Sequence, residues 1–105
     1  MKRIEMIKDK NTFNNIIKKA KFKKNDYFVI YNNENEINNT RFGIAINKKY
    51  GHAVDRNRIK RQVRAIIDNN RNLFQKGNNY IIMVRKSCQE AKFSTLEMAL
   101  TELLK

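Results

Sequence analysis

The sequence predicts an α+β fold, a small single-domain sandwich in which a four-stranded sheet packs with helices in the order αβββαβα. Three observations favour this class. The chain has 105 residues, enough for one hydrophobic core and too few for a second. Segments with the period of a helix and segments with the period of a strand follow one another along it. It contains no proline and no linker-like stretch, so residues 1–105 are expected to share one domain.

The first helix is predicted from DKNTFNNIIKKA, residues 9–20. Apolar side chains recur there at i, i+3, i+4 and i+7, the spacing of one helix face. They are Phe13, Ile16, Ile17 and Ala20. Asp9 or Asn11 can cap the start of this helix, because each offers a side-chain oxygen to unpaired backbone N–H groups.

Three segments have the composition of strands: YFVIY at 27–31, RFGIAIN at 41–47 and YIIMVR at 80–85. In the second segment the large apolar residues share one face, while Gly43, Ala45 and Asn47 share the other. A face this small lets a ligand or another backbone come close. The stretch NNENEINNT, residues 32–40, is predicted to be a loop because it is rich in turn-forming residues.

A basic helix is predicted from DRNRIKRQVRAIIDNNRNLF, residues 55–74. Its apolar stripe consists of Ile59, Val63, Ile66 and Ile67. A second face, about 100° wide, consists of Asn57, Lys60, Arg61 and Arg64. Asp55 stands where an N-cap is expected, accepting from the backbone N–H of Asn57 or Arg58.

The closing helix is predicted from FSTLEMALTELLK, residues 93–105. Ser94 followed three residues later by Glu97 is the pattern of a capping box. Its buried stripe is expected to consist of Leu96, Leu100, Leu103 and Leu104.

The net charge is +13, from 23 lysines and arginines against 10 aspartates and glutamates. Such an excess suggests a polyanionic partner, either nucleic acid or an anionic membrane surface. Composition alone does not decide this, since 16 asparagines, 15 lysines and 13 isoleucines are also what an AT-rich coding sequence produces. Four of the eight arginines, however, fall within residues 56–64. Like charges on one helix face repel, and RNA phosphates would offset that repulsion.

Catalytic and metal sites have little support in the sequence. His52, the one histidine, has no partner at metal-ligand spacing and is expected to be a loop residue or an RNA-facing donor. Cys88 is the one cysteine and is expected to be a bystander. No apolar run near 18 residues and no signal-peptide core follows the charged start MKRIEMIKDK. We therefore expect a cytoplasmic protein that needs no membrane and holds no metal or cofactor by itself.

The aromatic residues allow two interpretations. Phe28 and Tyr27 are expected to be core residues. Tyr31 and Val29, beside the small face of the strand at 41–47 and closed on one side by Phe13, would form a shallow groove on which an unpaired base could stack. In the alternative, all of these side chains are core.

The stretch RFGIAINKKYGHAVDRNRIKRQVRAI, residues 41–66, resembles the signature of the bacterial ribonuclease P protein subunit. That pattern is roughly R-x-G-[small or hydrophobic]3-[ST]-K-K-x-G-x-A-V-x-R-N-R-x-K-R-x-x-R. Asn47 departs from it. Thirteen positions match it: Arg41, Gly43, Lys48, Lys49, Gly51, Ala53, Val54, Arg56, Asn57, Arg58, Lys60, Arg61 and Arg64.

The resemblance implies a cofactor protein and a left-handed βαβ crossover through the basic helix. In that family the catalytic subunit is RNA, which uses Mg²⁺ to remove the 5′ leader of precursor tRNA, with one protein per RNA expected. The residues implied to face the catalytic RNA are Arg56, Asn57, Arg58, Lys60, Arg61 and Arg64. Those expected to bind RNA from the preceding loop are Lys48, Lys49 and His52. Those implied to form a cleft for the single-stranded leader are Phe13, Ile17, Val29, Tyr31 and Ala45.

Three other functions stay open on the sequence alone. A general RNA-binding module, such as a ribosomal protein, would share the charge. A protein nuclease would use His52 with Lys49 and Arg41. A membrane-surface role has the least support, because the basic face lies beside Asn57 and Gln62 with no tryptophan or apolar belt to insert.

Overall fold

A computed structural model describes residues 6–7, 9–35 and 39–105. Most of the charged start of the chain, and the centre of the predicted loop at 36–38, lie outside the described residues. The elements in chain order are α1 (Lys10–Lys19), β1 (Lys21–Lys24), β2 (Phe28–Glu34), β3 (Arg41–Ile46), α2 (Ala53–Asn69), β4 (Asn78–Val84) and α3 (Phe93–Glu102). This confirms the α+β class and the predicted order αβββαβα.

The four strands form one mixed sheet in the order β1-β2-β4-β3. β2 pairs antiparallel with both β1 and β4, and β3 pairs parallel with β4. The connection from β3 through α2 to β4 therefore joins parallel neighbours. β1 is the strand that periodicity did not locate: it reads KFKK and all four of its side chains are exposed, so it carries no apolar alternation.

One face of the sheet carries the larger core. Phe28, Ile30, Phe42, Ile82 and Val84 point to this side and pack with the buried faces of α2 and α3. The predicted apolar stripe of α2 is confirmed, since Ile59, Val63, Ile66 and Ile67 are all buried. Three aromatic rings close one end of this core, Phe42, Phe74 and Tyr80.

The opposite face of the sheet is partly covered by α1 and by Ile7, which precedes it. Ile16 of this helix packs with Ile7 and Ile81, and these three residues are buried. Asp9 caps the helix as predicted, with its carboxylate accepting from the backbone N–H of Asn11 at 3.1 Å. A ten-residue helix is too short and narrow to cover four strands, so part of this face stays open.

Two predicted helix caps are wrong. α2 begins at Ala53 with His52 as its N-cap residue. The carboxylate of Asp55 lies inside the first turn and accepts from the backbone N–H of His52 at 3.0 Å, as an acid at the third helical position does. α3 begins at Phe93 after Lys92, without a side-chain cap.

Two other predicted local features are replaced by contacts with distant parts of the chain. Glu97, predicted to complete a capping box, accepts from Nδ2 of Asn70 at 3.1 Å. The loop predicted at 32–40 begins later than expected, because β2 continues to Glu34, which pairs with Asn78 of β4. Both corrections depend on groups distant in the chain.

Candidate nucleic-acid interface

The exposed side of α2 carries three cations on one helix face. Arg61 and Arg64 are exposed and Lys60 is half-buried, and the neighbouring Asn57 is exposed. Their spacing of three and four residues places them together on one face beside the buried stripe. Within the described ranges no ion pair or side-chain hydrogen bond involves these cations. Their charge is therefore available to a partner.

Arg56 and Arg58 are placed differently from that face. Nη1 of Arg56 lies 3.3 Å from the carbonyl oxygens of both Asn47 and Tyr50 and donates to them. Arg58 comes directly before the buried Ile59, and Lys60 comes directly after it. The two cations therefore project from the helix on opposite sides of the apolar stripe. Arg58 lines a separate depression of about 240 Å³ beside Tyr50 and Cys88. The six residues predicted for one RNA-facing surface are thus divided among three directions.

The loop before α2 presents Lys48, Lys49 and His52, all exposed. Hydrogen bonds fix this loop at both of its ends. Oδ1 of Asn47 accepts from the backbone N–H of Lys49 at 2.8 Å, and Arg56 binds two carbonyls of the same loop. The lysines therefore stand at a defined place, the end of β3, although their own side chains have no partner within the described residues.

The predicted cleft residues are brought together on the α1 face of the sheet. Strand pairing aligns Tyr31, Ile81 and Gly43 in one cross-strand row and Val29, Met83 and Ala45 in the next. Residues directly opposite in neighbouring strands point to the same side. α1 lies over the first row, where Phe13 contacts the glycine, and leaves the second row open.

The open row is the floor of a channel. Beside it lies a depression of about 570 Å³ lined by Val29, Met83, Asn47, Lys48, Lys49 and Arg85, among others. Its floor is apolar and its rim is cationic. Phe13, Ile17, Val29, Tyr31 and Ala45 are each half-buried, so these side chains are neither fully core nor fully exposed.

Sequence reasoning missed two residues of this channel, Met83 and Arg85. Both follow from the alternation in YIIMVR once β4 is known to lie between β2 and β3, because alternate side chains of a central strand reach both faces. The sequence shows the alternation, but it does not show where β4 lies in the sheet.

The residues of the nuclease hypothesis are not brought together. Arg41 begins β3 and Lys49 follows its end, and the strand alone separates its terminal Cα atoms by about 17 Å. In the described ranges no group of three or more histidine, cysteine, aspartate or glutamate residues could hold a metal ion. No helix among the described residues is long and apolar enough to cross a bilayer.

Cys88 is a buried thiol outside both surfaces. Its Sγ lies 3.1 Å from the carbonyl oxygen of Tyr27 and donates to it. Burial raises the pKa of this thiol to about 11. The same burial raises the pKa of the neighbouring Tyr50, with smaller contributions from Cys88 and Asp55. A protonated thiol is a poor nucleophile, so the absence of a chemical role for Cys88 stays a prediction.

A sheet with a helix-packed core on one side, a half-open apolar channel on the other and exposed cations beside it is typical of a small, basic nucleic-acid-binding protein. Comparison with known proteins identifies the family. The ribonuclease P family model matches residues 1–105. The chain belongs to the ribonuclease P protein family.

Relatives and solved structures agree with this assignment. The ribonuclease P protein component of Mycoplasma capricolum is 42% identical over 106 residues, covering 100% of this chain and 97% of the relative. The RNase P protein of Thermotoga maritima matches with a TM-score of 0.86 at 32% identity, covering 96% of each chain. A Staphylococcus aureus RNase P protein mutant with defective mRNA degradation activity matches with a TM-score of 0.90 at 29% identity, covering 97% of this chain and 86% of the mutant.

Proposed function

We propose that this protein is the non-catalytic subunit of a cytoplasmic ribonuclease P ribozyme and promotes removal of the 5′ leader from precursor tRNA. The catalytic RNA performs the hydrolysis with Mg²⁺, and one protein binds one RNA. The protein supplies two surfaces. Its basic surface, formed by Lys60, Arg61 and Arg64 with Lys48 and Lys49, binds the catalytic RNA, and the channel beside Val29 and Tyr31 binds the leader.

The observation that carries the proposal is the unpaired charge of α2. Three neighbouring cations that have no carboxylate partner among the described residues repel one another, at a cost of a few tenths of a kcal/mol for each i,i+4 pair. Phosphate oxygens would remove this repulsion and accept bidentate hydrogen bonds from the arginines. A continuous row of phosphates is what a folded RNA offers to a helix of this kind.

The channel suits single-stranded RNA better than duplex RNA. Its apolar floor is formed by half-buried side chains, and a base in a duplex cannot lay its face on such a floor because it is already stacked. An unpaired base can stack on Tyr31 or contact Val29 and Met83, while Lys48 and Lys49 on the rim donate hydrogen bonds to the phosphates between bases. The leader is the unpaired part of precursor tRNA.

The decisive test is reconstitution with the matching catalytic RNA. At low Mg²⁺ the complete complex is expected to cut precursor tRNA at the mature 5′ end much faster than the RNA alone, and the protein alone is expected to cut nothing. Cleavage by the protein alone at the correct 5′ end would contradict the assignment of chemistry to RNA.

The basic surface is tested by the salt dependence of RNA binding. Each phosphate contact contributes about 0.7 to 0.9 to the slope of log K against log salt. The double substitution of Arg61 and Arg64 by alanine is expected to flatten the slope by about 1.4 to 1.8. Lys76→Ala removes an exposed cation in the turn before β4 and serves as the matched control, with an unchanged slope. If both variants showed the same slope, we would conclude that α2 is not part of the RNA interface.

Two rivals are separated by the same materials. A general RNA-binding module would bind tRNA equally with and without a leader in the presence of the catalytic RNA, whereas the proposal predicts tighter binding of the precursor. A protein nuclease, prompted by the mRNA degradation activity described for the Staphylococcus aureus protein, would cleave messenger RNA without the catalytic RNA. In that case His52→Ala would abolish cleavage, whereas under the proposal it has a mild effect.

A further inference from the structure

Phe22 is a large apolar side chain that the fold leaves in solvent. It is 57% exposed, in the middle of the edge strand β1. Its neighbours in the strand are all lysines, Lys21, Lys23 and Lys24. Lysines protect an exposed edge strand against pairing with another chain, but they do not explain an aromatic ring among them, because an exposed ring contributes little to folding.

Strand pairing shows which way the ring points. Phe22 is the direct antiparallel partner of Tyr31, so both lie on the α1 face of the sheet. Their ring centroids are 5.7 Å apart and their planes are tilted by 41°. The row that continues from Tyr31 to Ile81 and Gly43 therefore begins one strand further out, at Phe22.

Only the inner half of this row is covered. Ile81 and Gly43 lie under α1 and are buried, whereas Tyr31 is half-buried and Phe22 is exposed. Lys24 pairs with Val29 and so points to the same side as Phe22. The open surface thus runs across all four strands, from Phe22 and Lys24 at one edge to Ala45 and the loop lysines at the other.

The chemistry of this edge suits one kind of occupant. An exposed aromatic ring offers a stacking surface worth about 1–3 kcal/mol per base, and a lysine beside it pairs with a phosphate. A protein strand added to this edge would meet three lysines, and a second copy of the chain would bring three more. Charge therefore favours a single-stranded nucleic acid over a protein partner.

We propose that Phe22 and Tyr31 form a stacking platform for an unpaired base at the outer end of the leader channel. This inference rests on the proposed function. In that function the catalytic RNA makes the cut, and Lys48 and Lys49 belong to the surface that binds this RNA, so we place the nucleotides next to the cleavage site at the Ala45 end of the channel. Phe22 then contacts nucleotides further toward the 5′ end of the leader.

The test uses the complete complex of protein and catalytic RNA with precursor tRNAs of decreasing leader length. With a long leader, Phe22→Ala is expected to weaken binding about fivefold or more, and Phe22→Trp is expected to restore it. As the leader shortens from its 5′ end, the effect of Phe22→Ala should disappear before that of Tyr31→Ala. Met98→Ala removes another exposed apolar side chain, 64% exposed on α3, and should have no effect.

The outcomes separate this inference from the proposed function. If Tyr31→Ala weakens precursor binding but Phe22→Ala does not at any leader length, the platform does not extend to β1 and the inference is wrong. If Phe22→Ala only changes self-association of the protein in sedimentation, the ring is a protein contact and the inference is also wrong. If neither aromatic substitution distinguishes precursor from mature tRNA, the leader channel itself is overturned.

Discussion

Gly43 is where the packing of α1 on the sheet can be tested most directly. A methyl group placed on its Cα would lie 2.7 Å from Cε2 and 3.1 Å from Cδ2 of Phe13, and 3.4 Å from Cγ1 of Ile81. The first distance is well inside van der Waals contact. Because Gly77 is the glycine with a positive φ among the described residues, the backbone at Gly43 accepts alanine and only the side-chain overlap opposes it.

The expected magnitude follows from two opposing terms. Overpacking of this kind costs about 1–3 kcal/mol, whereas replacing glycine by alanine gains about 0.4–1 kcal/mol by restricting the unfolded chain. Gly43→Ala should therefore lower the free energy of unfolding by about 1 kcal/mol, which lowers Tm by about 4–8 °C for a domain of this size. It should also move the Phe13 ring away from the channel and weaken binding of precursor tRNA.

A double-mutant cycle with Phe13→Ala isolates the cause. Removing the ring removes the overlap and leaves only the gain from alanine, so the double variant should be more stable than the sum of the two single effects by about 1.4–2 kcal/mol. Urea denaturation of the four proteins measures this coupling. Additivity within about 0.5 kcal/mol would mean that the ring does not oppose the methyl group, and the assignment of Gly43 to close packing under α1 would be wrong.

Three further predictions concern stability. Arg56→Ala should lower the free energy of unfolding by about 1 kcal/mol, measured in urea, because it removes the donor shared by the carbonyls of Asn47 and Tyr50; Arg61→Ala should not. Asp9→Ala should cost about 0.5–2 kcal/mol by removing the cap of α1, whereas Asp9→Asn should retain most of it. The raised pKa of Cys88, about 11, means that the unfolded thiol loses its proton first as pH rises. Its contribution to stability is therefore complete below about pH 9 and is lost as the pH approaches 11. A Cys88→Ala variant with an unchanged fall in Tm over this range would refute that cause.

The functional surfaces were predictable to the extent that local spacing determines them. The period of residues 55–74 separates Ile59 and Val63 from Arg61 and Arg64 wherever the helix is placed, because 3.6 residues per turn fixes which side chains share a face. The alternation in 41–47 likewise assigns Gly43 and Ala45 to one side of their strand. These assignments need no tertiary information, and the signature carried by the same residues indicated the family.

Other features depended on contacts between distant parts of the chain. Arg56 and Arg58 belong to the same basic run as Arg61, but one binds the loop before the helix and the other turns toward Tyr50 and Cys88. Their spacing in the sequence could not show this, because a guanidinium is directed by the acceptors and space that the fold brings near it. The segment that forms β1 was not located for the same reason, since KFKK is a strand only through its pairing with β2.

The sequence by itself therefore determined the fold class, the two faces of the basic helix and the small-residue face of β3. Only the tertiary structure decided that β4 lies between β2 and β3, that α1 covers half of one sheet face, and that Phe22 continues the row of Tyr31. The physical reason is the distance along the chain between the residues that determine each feature. Periodicity and capping are properties of a few consecutive residues, whereas strand order and the open half of a sheet arise from pairing and packing across the whole chain.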